Sequence, residues 1–182
     1  MERLKIATVW LGGCSGCHMS FLDLDEFLIE LAGKVDLVYS PVMDVKEYPG
    51  NVDVCLIEGA VCNADNLEIL RRIRARTRVL VSFGDCAVTG NVPAMRNQLG
   101  PGNADNVLQR AYIENAQFNP VKPRADGIVP PLLERVLPAH EAVRVEYFLP
   151  GCPPPAERIK ALLLQLLSGG TPKLEGAQLK FG

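Results

Sequence analysis

The tightest constraint on this 182-residue chain is a series of five short apolar runs: Leu4 to Leu11, Val35 to Val42, Val52 to Glu58, Arg78 to Gly84 and Val143 to Leu149. They are rich in Val, Ile and Leu, and several are nearly continuous rather than alternating. A strand with one wet face must alternate apolar with polar residues, whereas a strand buried on both faces need not. Helical patterns separate the runs. Ser20 and Asp23 form an N-terminal capping signal, Leu24, Phe27, Leu28 and Leu31 follow at helical spacing, and Gly33 reads as a stop. Asn63 reads as the cap of a second helix carrying Leu67, Leu70 and Ile73, and Pro130 to Leu137 as a short third helix. A final helix follows Pro154-Pro155, with Ile159, Leu162, Leu163, Leu166 and Leu167 on one face and Gly169-Gly170 at its end. Strand and helix in repetition predict an α/β fold, a doubly wound parallel sheet between two helical layers. The length suits one domain over residues 1–170 with a tail over 171–182. Residues 91–127 break the rhythm as an insertion rich in Asn, Pro and Gly, with one helix near Asn103 to Glu114. A segment that long is usually functional or partner-bound.

A net charge of −2 argues against nucleic acid, which needs a basic surface. No apolar run has transmembrane length, and the chain enters its first strand with no signal segment before it, so cytoplasm is the expected compartment. There, six cysteines stay mostly reduced, and their uneven spacing suits ligation or redox chemistry better than a disulfide framework.

Placed on the expected strands, Cys14 and Cys17 follow the first, Cys86 in "SFGDCAVTG" the fourth, and Cys152 in "FLPGCPPP" the fifth. In an open α/β sheet the carboxyl ends of parallel strands share one edge, where ligands bind. Four cysteines distant in sequence are thereby expected to converge. Four thiolates suit an iron–sulfur cluster or a structural zinc. Zinc more often takes two short C-x-x-C knuckles, and here there is one. Gly12, Gly13, Gly16, Gly84 and Gly151 flank the thiols and allow close backbone approach, with amides free to reach sulfur. Spacing favours a cluster over zinc.

Blander readings stand beside this one. Cys14 and Cys17 alone would suit a thioredoxin-like dithiol, which puts its second cysteine in the first helical turn and needs no distant cysteines. Cys55, inside a strand, reads as core. Cys62 lies near the same edge as a spare thiol or a supporting group. His18 reads as a helix-start histidine with a structural hydrogen bond rather than a ligand. The run Arg71, Arg72, Arg74, Arg76 and Arg78 reads as a solvated helix end. Glu58 is either a proton-carrying or partner-binding group or an ordinary loop carboxylate.

The motifs "GGCSGC", "EGAV", "GDCAVTG" and "LPGCPPP", in this order after the first, third, fourth and fifth strands, resemble the small subunit of [NiFe] hydrogenases. The length and style are most similar to the cytoplasmic, bidirectional, NAD-reducing type. The resemblance covers most of residues 1–168 and implies a flavodoxin-like fold. By motif, Cys14, Cys17, Cys86 and Cys152 would ligate one [4Fe–4S] cluster, proximal to a Ni–Fe centre on a separate large subunit. No cysteine follows Cys152, so by the family pattern the chain carries one cluster. Electrons would then pass to a diaphorase flavoprotein and its Fe–S subunit, which hold further clusters, FMN and the NAD site. The cluster subunit of NADH:quinone oxidoreductase is a related alternative, but it typically has two adjacent cysteines where Ser15 and Gly16 intervene here. Small subunits of other cytoplasmic hydrogenases, a flavodoxin-like FMN binder and a structural zinc scaffold are the remaining alternatives. The loop after the first strand lacks the hydroxyl-rich phosphate cradle that an FMN binder uses.

Overall fold

The structure, a computed structural model, describes residues 3–181. Each apolar run contributes to one five-stranded parallel sheet. Its strands are β1 (Leu4–Trp10), β2 (Val35–Tyr39), β3 (Val52–Glu58), β5 (Thr77–Phe83) and β7 (Tyr147–Leu149), in the order β2-β1-β3-β5-β7. The last strand is shorter than its apolar run, beginning at Tyr147 rather than Val143. This is the flavodoxin-like order, in which the winding reverses between β1 and β3.

Alternate residues of β3 feed two separate cores. Val54 and Leu56 pack with Phe27, Leu31, Ile159, Leu162 and Leu163 on one face. Cys55 and Ile57 pack with Leu70 and Ile73 on the other. The first face is covered by α1 (Gly16–Leu22), α2 (Phe27–Lys34) and α8 (Ala156–Leu167), the second chiefly by α3 (Ala64–Arg76). Burial on both faces explains why the central strands do not alternate. Asn63 caps α3 as expected, its side chain accepting from the Asn66 amide at 2.8 Å.

Four expectations are corrected. The first helix begins at Gly16, not Ser20, and is broken at residues 23–26 before α2; Gly33 lies inside α2, which passes directly into β2. The Ser20 hydroxyl donates to the Pro154 carbonyl at 2.6 Å instead of capping, so it ties α1 to a distant loop. Leu132–Leu137 is a strand, β6, pairing antiparallel with β4 (Val61–Asn63). The arginine run is only partly solvated: Arg74 donates to Glu146 at 2.7 Å and to the Arg144 and Arg78 carbonyls, and so bridges α3 to the start of β7.

The Asn-rich insertion explains the strand at 132–137. After α4 (Asp85–Thr89) and α5 (Asn91–Ala94) come a 3-10 turn (Met95–Leu99) and α6 (Asn103–Gln109), continued by a π turn (Arg110–Glu114). Asn97 both donates to the Val136 carbonyl and accepts from the Val136 amide, each at 2.9 Å, as a neighbouring strand would. Asn103 donates to the Glu134 carbonyl at 2.6 Å, and the Arg96 guanidinium spans the Leu133, Glu134 and Cys62 carbonyls. These side chains satisfy the open edge of β6. A four-residue helix, α7 (Ala139–Ala142), then leads back to the main sheet. The tail touches the sheet domain. Pro172 is buried, Leu174 packs against the first core, and Gln165 exchanges two hydrogen bonds with the Lys173 backbone.

Leu162 is fully buried in the first core, whereas Leu164, on the same helix, is 43% exposed. Leu162→Ala should lower the unfolding free energy by about 2–5 kcal/mol in urea titrations, and Leu164→Ala should change it by roughly 0.5 kcal/mol or less.

Candidate functional site

At the carboxyl edge of the sheet, the loops after β1 and β3 are stitched together. The Leu11 amide donates to the Glu58 carbonyl at 2.8 Å, and Gly12 and Ala60 exchange backbone bonds at 2.9 and 2.8 Å. The loops after β5 and β7 are joined in the same way. Gly84 donates to the Leu149 carbonyl at 2.8 Å, the Asp85 amide to the Gly151 carbonyl at 2.9 Å, and the Asp85 carboxylate accepts from the Gly151 amide at 2.6 Å. Ser20 then links the first pair of loops to the Cys152 loop through the Pro154 carbonyl.

This stitching brings the four sequence-predicted thiols to one place. Cys17 is buried, Cys86 half-buried, and Cys14 and Cys152 are exposed, all as free thiols. Burial is the main reason the Cys17 thiol is pushed far above its ordinary range, and Glu58, Cys86, Cys14 and Cys152 each push it further. Cys86 is pushed up to about 11, chiefly by burial, then by Cys152, Cys14, Glu58 and Asp85. Side chains that act on one another in this way share a site. With burial and these neighbours all acting in one direction, the Cys17 and Cys86 thiols hold their protons near neutral pH. They become thiolates when a cationic group neutralises them. The donor set therefore fits a metal-based group. Among the described residues, no three His, Cys, Asp or Glu side chains are grouped tightly enough to hold a single metal ion.

Glu58 is the organising group. It is 2% exposed, and its carboxylate accepts from the Cys17 amide at 3.3 Å and the His18 amide at 2.9 Å. The His18 ring pairs with the same carboxylate through Nδ1, which is the structural hydrogen bond expected of it; Nε2 is buried without a hydrogen-bond partner among the described residues. Glu58 thus caps the start of α1 from β3, a long-range substitute for the local cap that Ser15 does not supply. The partners lie 40 and 41 residues apart, so no local sequence pattern signals this contact.

The glycines act differently from one another. The Gly16 amide reaches Cys14 Sγ at 3.4 Å, as expected, but the Gly12 and Gly84 amides donate to backbone carbonyls and the Gly151 amide to the Asp85 carboxylate. Gly84 is needed for room: at φ 85° it has a left-handed backbone, and a Cβ there would lie 2.1 Å from Cys17 Sγ. Cys62, in β4, packs its thiol against Gly12 and is not among the groups acting on Cys17. Cys55 is fully buried in the second core, as expected, where burial raises its thiol to about 12. Cys17 lies in the first turn of α1, where a thioredoxin-like dithiol also has its second cysteine. The nearness of Cys86 and Cys152, not helix position, is what separates this site from such a dithiol.

The model of the family described as NADH ubiquinone oxidoreductase, 20 Kd subunit, matches residues 14–166. Among curated relatives, the NAD-reducing hydrogenase HoxS subunit delta of Cupriavidus necator is 39% identical over 92% of this chain and 80% of its own length. A subunit of the F420-non-reducing hydrogenase of Methanothermobacter marburgensis is 38% identical, but this chain spans only 58% of its length. A chain in the crystal structure of an NAD+-reducing [NiFe]-hydrogenase in the H2-reduced state superposes with a TM-score of 0.92 at 44% identity, each chain covering 100% of the other. A [NiFeSe]-hydrogenase structure from Dm. baculatum, at 15% identity and a TM-score of 0.63, shares the fold.

Gly84→Ala should displace the Cys17 sulfur and destabilise the chain by about 1–3 kcal/mol. Gly50→Ala is the control, because nothing lies within 4 Å of its added Cβ and its backbone is unstrained. Denaturant midpoints of the two variants measure the difference.

Proposed function

We infer, for a chain that belongs to the NADH ubiquinone oxidoreductase 20 Kd subunit family and within it to the small subunits of NAD-reducing [NiFe] hydrogenases, that Cys14, Cys17, Cys86 and Cys152 together hold one [4Fe–4S] cluster. The protein is a subunit of an oxidoreductase that couples H2 and NAD+ to H+ and NADH, with the Ni–Fe chemistry on a partner large subunit. The observation that carries the ligand assignment is the mutual influence of four thiols from three strand ends around the buried Cys17. Bound there, a [4Fe–4S] cluster supplies one-electron storage, tuned by burial and hydrogen bonds to sulfur.

This chain's own residues supply the thiolates and hold them. Glu58 fixes the Cys17 turn from β3, Asp85 fixes the Cys152 loop from α4, and Ser20 joins the two. Cys14 and Cys152 face outward, leaving that side of the site open to electron donors and acceptors. No acid, base or nucleophile on this chain is required for a relay. Thiols whose burial favours the protonated form lose protons on ligation, so retention of the group should weaken as pH falls.

We assign the donor side to the large subunit. Val92, Met95 and Leu99, at 64%, 62% and 59% exposure, follow Asn91, which contacts Cys152, and extend the apolar surface offered to it. A diaphorase module with FMN, further Fe–S clusters and the NAD site is the acceptor. Full mutual coverage with the NAD+-reducing structure supports this acceptor over that of the longer F420-non-reducing relatives. No helix of the described residues is long and apolar enough to cross a membrane. We take the cytoplasm, where thiols stay reduced, as the compartment.

Two measurements test this reading. In the purified complex, Cys17→Ser or Cys86→Ser should remove about four iron and about four sulfide, or convert the cluster to one with fewer iron atoms, whereas Cys55→Ser should keep the iron and lose about 1–3 kcal/mol of stability. Zinc in place of iron would refute the assignment. On a Cys152→Ser complex that assembles normally, H2-driven NAD reduction should fall steeply. Dye reduction by NADH should be unchanged, and D2/proton exchange should survive in part. Equal loss of exchange and NAD reduction, with an intact Ni–Fe spectrum, would mean that this chain takes part in chemistry at the metal.

A further inference from the structure

Asn91 is held in an unusual backbone conformation beside the fourth thiol. Its φ is 38° and that of the preceding Gly90 is 87°, so two successive residues occupy the left-handed region. Asparagine tolerates that region better than most residues with a side chain. The turn is pinned on both sides. The Gly90 amide donates to the Cys86 carbonyl at 3.0 Å, and the Ala94 amide donates to the Gly90 carbonyl at 3.2 Å. The Thr89 hydroxyl donates to the Asp85 carbonyl at 2.9 Å. The result aims the Asn91 Nδ2 amide at Cys152 Sγ, 3.5 Å away and 61 residues distant in sequence. Asn91 therefore belongs to the segment following Cys86, while its acceptor belongs to the loop after β7.

Resting on the reading that these thiols ligate a [4Fe–4S] cluster, we propose that Asn91 is a positioning residue whose amide N–H donates to the Cys152 sulfur, fixing an exposed side of the site and raising the cluster's reduction potential. The chemistry follows from charge. A ligand sulfur carries more negative charge when the group it binds is reduced, so a fixed N–H donor stabilises the reduced form more than the oxidised one. An exposed sulfur without that donor would meet mobile water, which is not preorganised. The amide nitrogen rather than the amide oxygen faces the sulfur, because an oxygen there would oppose two electron-rich atoms. Asn91 also links the Cys86 segment to the Cys152 loop directly, alongside the Asp85–Gly151 contact.

The test is a redox titration of this cluster's EPR signal in the purified hydrogenase complex, the signal being the one lost in Cys17→Ser. Asn91→Gly removes the donor and suits the left-handed backbone, so folding is spared; Asn91→Asp keeps the shape and replaces the donor with a negatively charged acceptor. The one-electron reduction equilibrium should become about three- to tenfold less favourable in Asn91→Gly, up to about 59 mV lower. Asn91→Asp should lie lower still. Unchanged midpoints in both variants, with the signal present, would overturn the role of Asn91 while leaving the cluster assignment standing. Survival of every cluster signal in Cys17→Ser would instead sink the cluster assignment itself.

Discussion

Glu58 ends the central strand with its carboxylate out of water, accepting two amides from the start of α1 and pairing with the His18 ring. A buried carboxylate without such partners would be strongly unfavourable, and helix amides without an acceptor would be too. Each need answers the other. The contact spans the place where the winding of the sheet reverses, between β1 and β3, which is where α/β sheets of this order leave a crevice. Remove that carboxylate and the amides of Cys17 and His18 lose their acceptor, leaving the turn tied to the sheet through the Gly12–Ala60 and Ser20–Pro154 bonds.

Everything else at the edge builds outward from this anchor. The β5 and β7 loops are clasped through Asp85 and Gly151, and Ser20 carries the clasp across to α1. Backbone at Gly84 approaches so closely that the Cys17 sulfur occupies the space a side chain would take. The loops are consequently held by interactions other than the thiols themselves. For the ligation proposed for these cysteines, such a scaffold would keep the four sulfurs together before their protons are lost. In a hydrogenase small subunit this suits a relay, because electron transfer is fastest where little rearranges.

The insertion is built on a second device, amide side chains in place of a strand. Asn97, Asn103 and Arg96 occupy the free edge of β6 with hydrogen bonds that a neighbouring strand would otherwise make. A short strand pair is marginal alone, and these side chains hold it against the sheet domain. The same segment carries Asn91 to the Cys152 sulfur and leaves Val92, Met95 and Leu99 facing outward. Structure and contact surface thus share one stretch of sequence.

Sequence alone determined the sheet and its site, for identifiable reasons. Strands buried on both faces have to be nearly continuous in Val, Ile and Leu, so their positions were legible, and parallel winding then obliges residues just past their ends to meet. Cys14, Cys17, Cys86 and Cys152 follow from that rule, as does Cys55 in the core, because its position lies within a strand. Tertiary structure decided whatever depends on partners distant in sequence. Leu132 to Leu137 is short and apolar enough for helix or strand, and the choice falls to Asn97 and Arg96, more than thirty residues away. Ser20 has the residue type of a cap yet bonds a carbonyl 134 residues on, because α1 starts earlier under the control of Glu58. Asn91 reads locally as a turn residue after glycine, and its aim at Cys152 exists only once β5 and β7 lie side by side. Local pattern reports which face of an element is apolar; it carries no record of which distant polar group will satisfy an amide or face a sulfur.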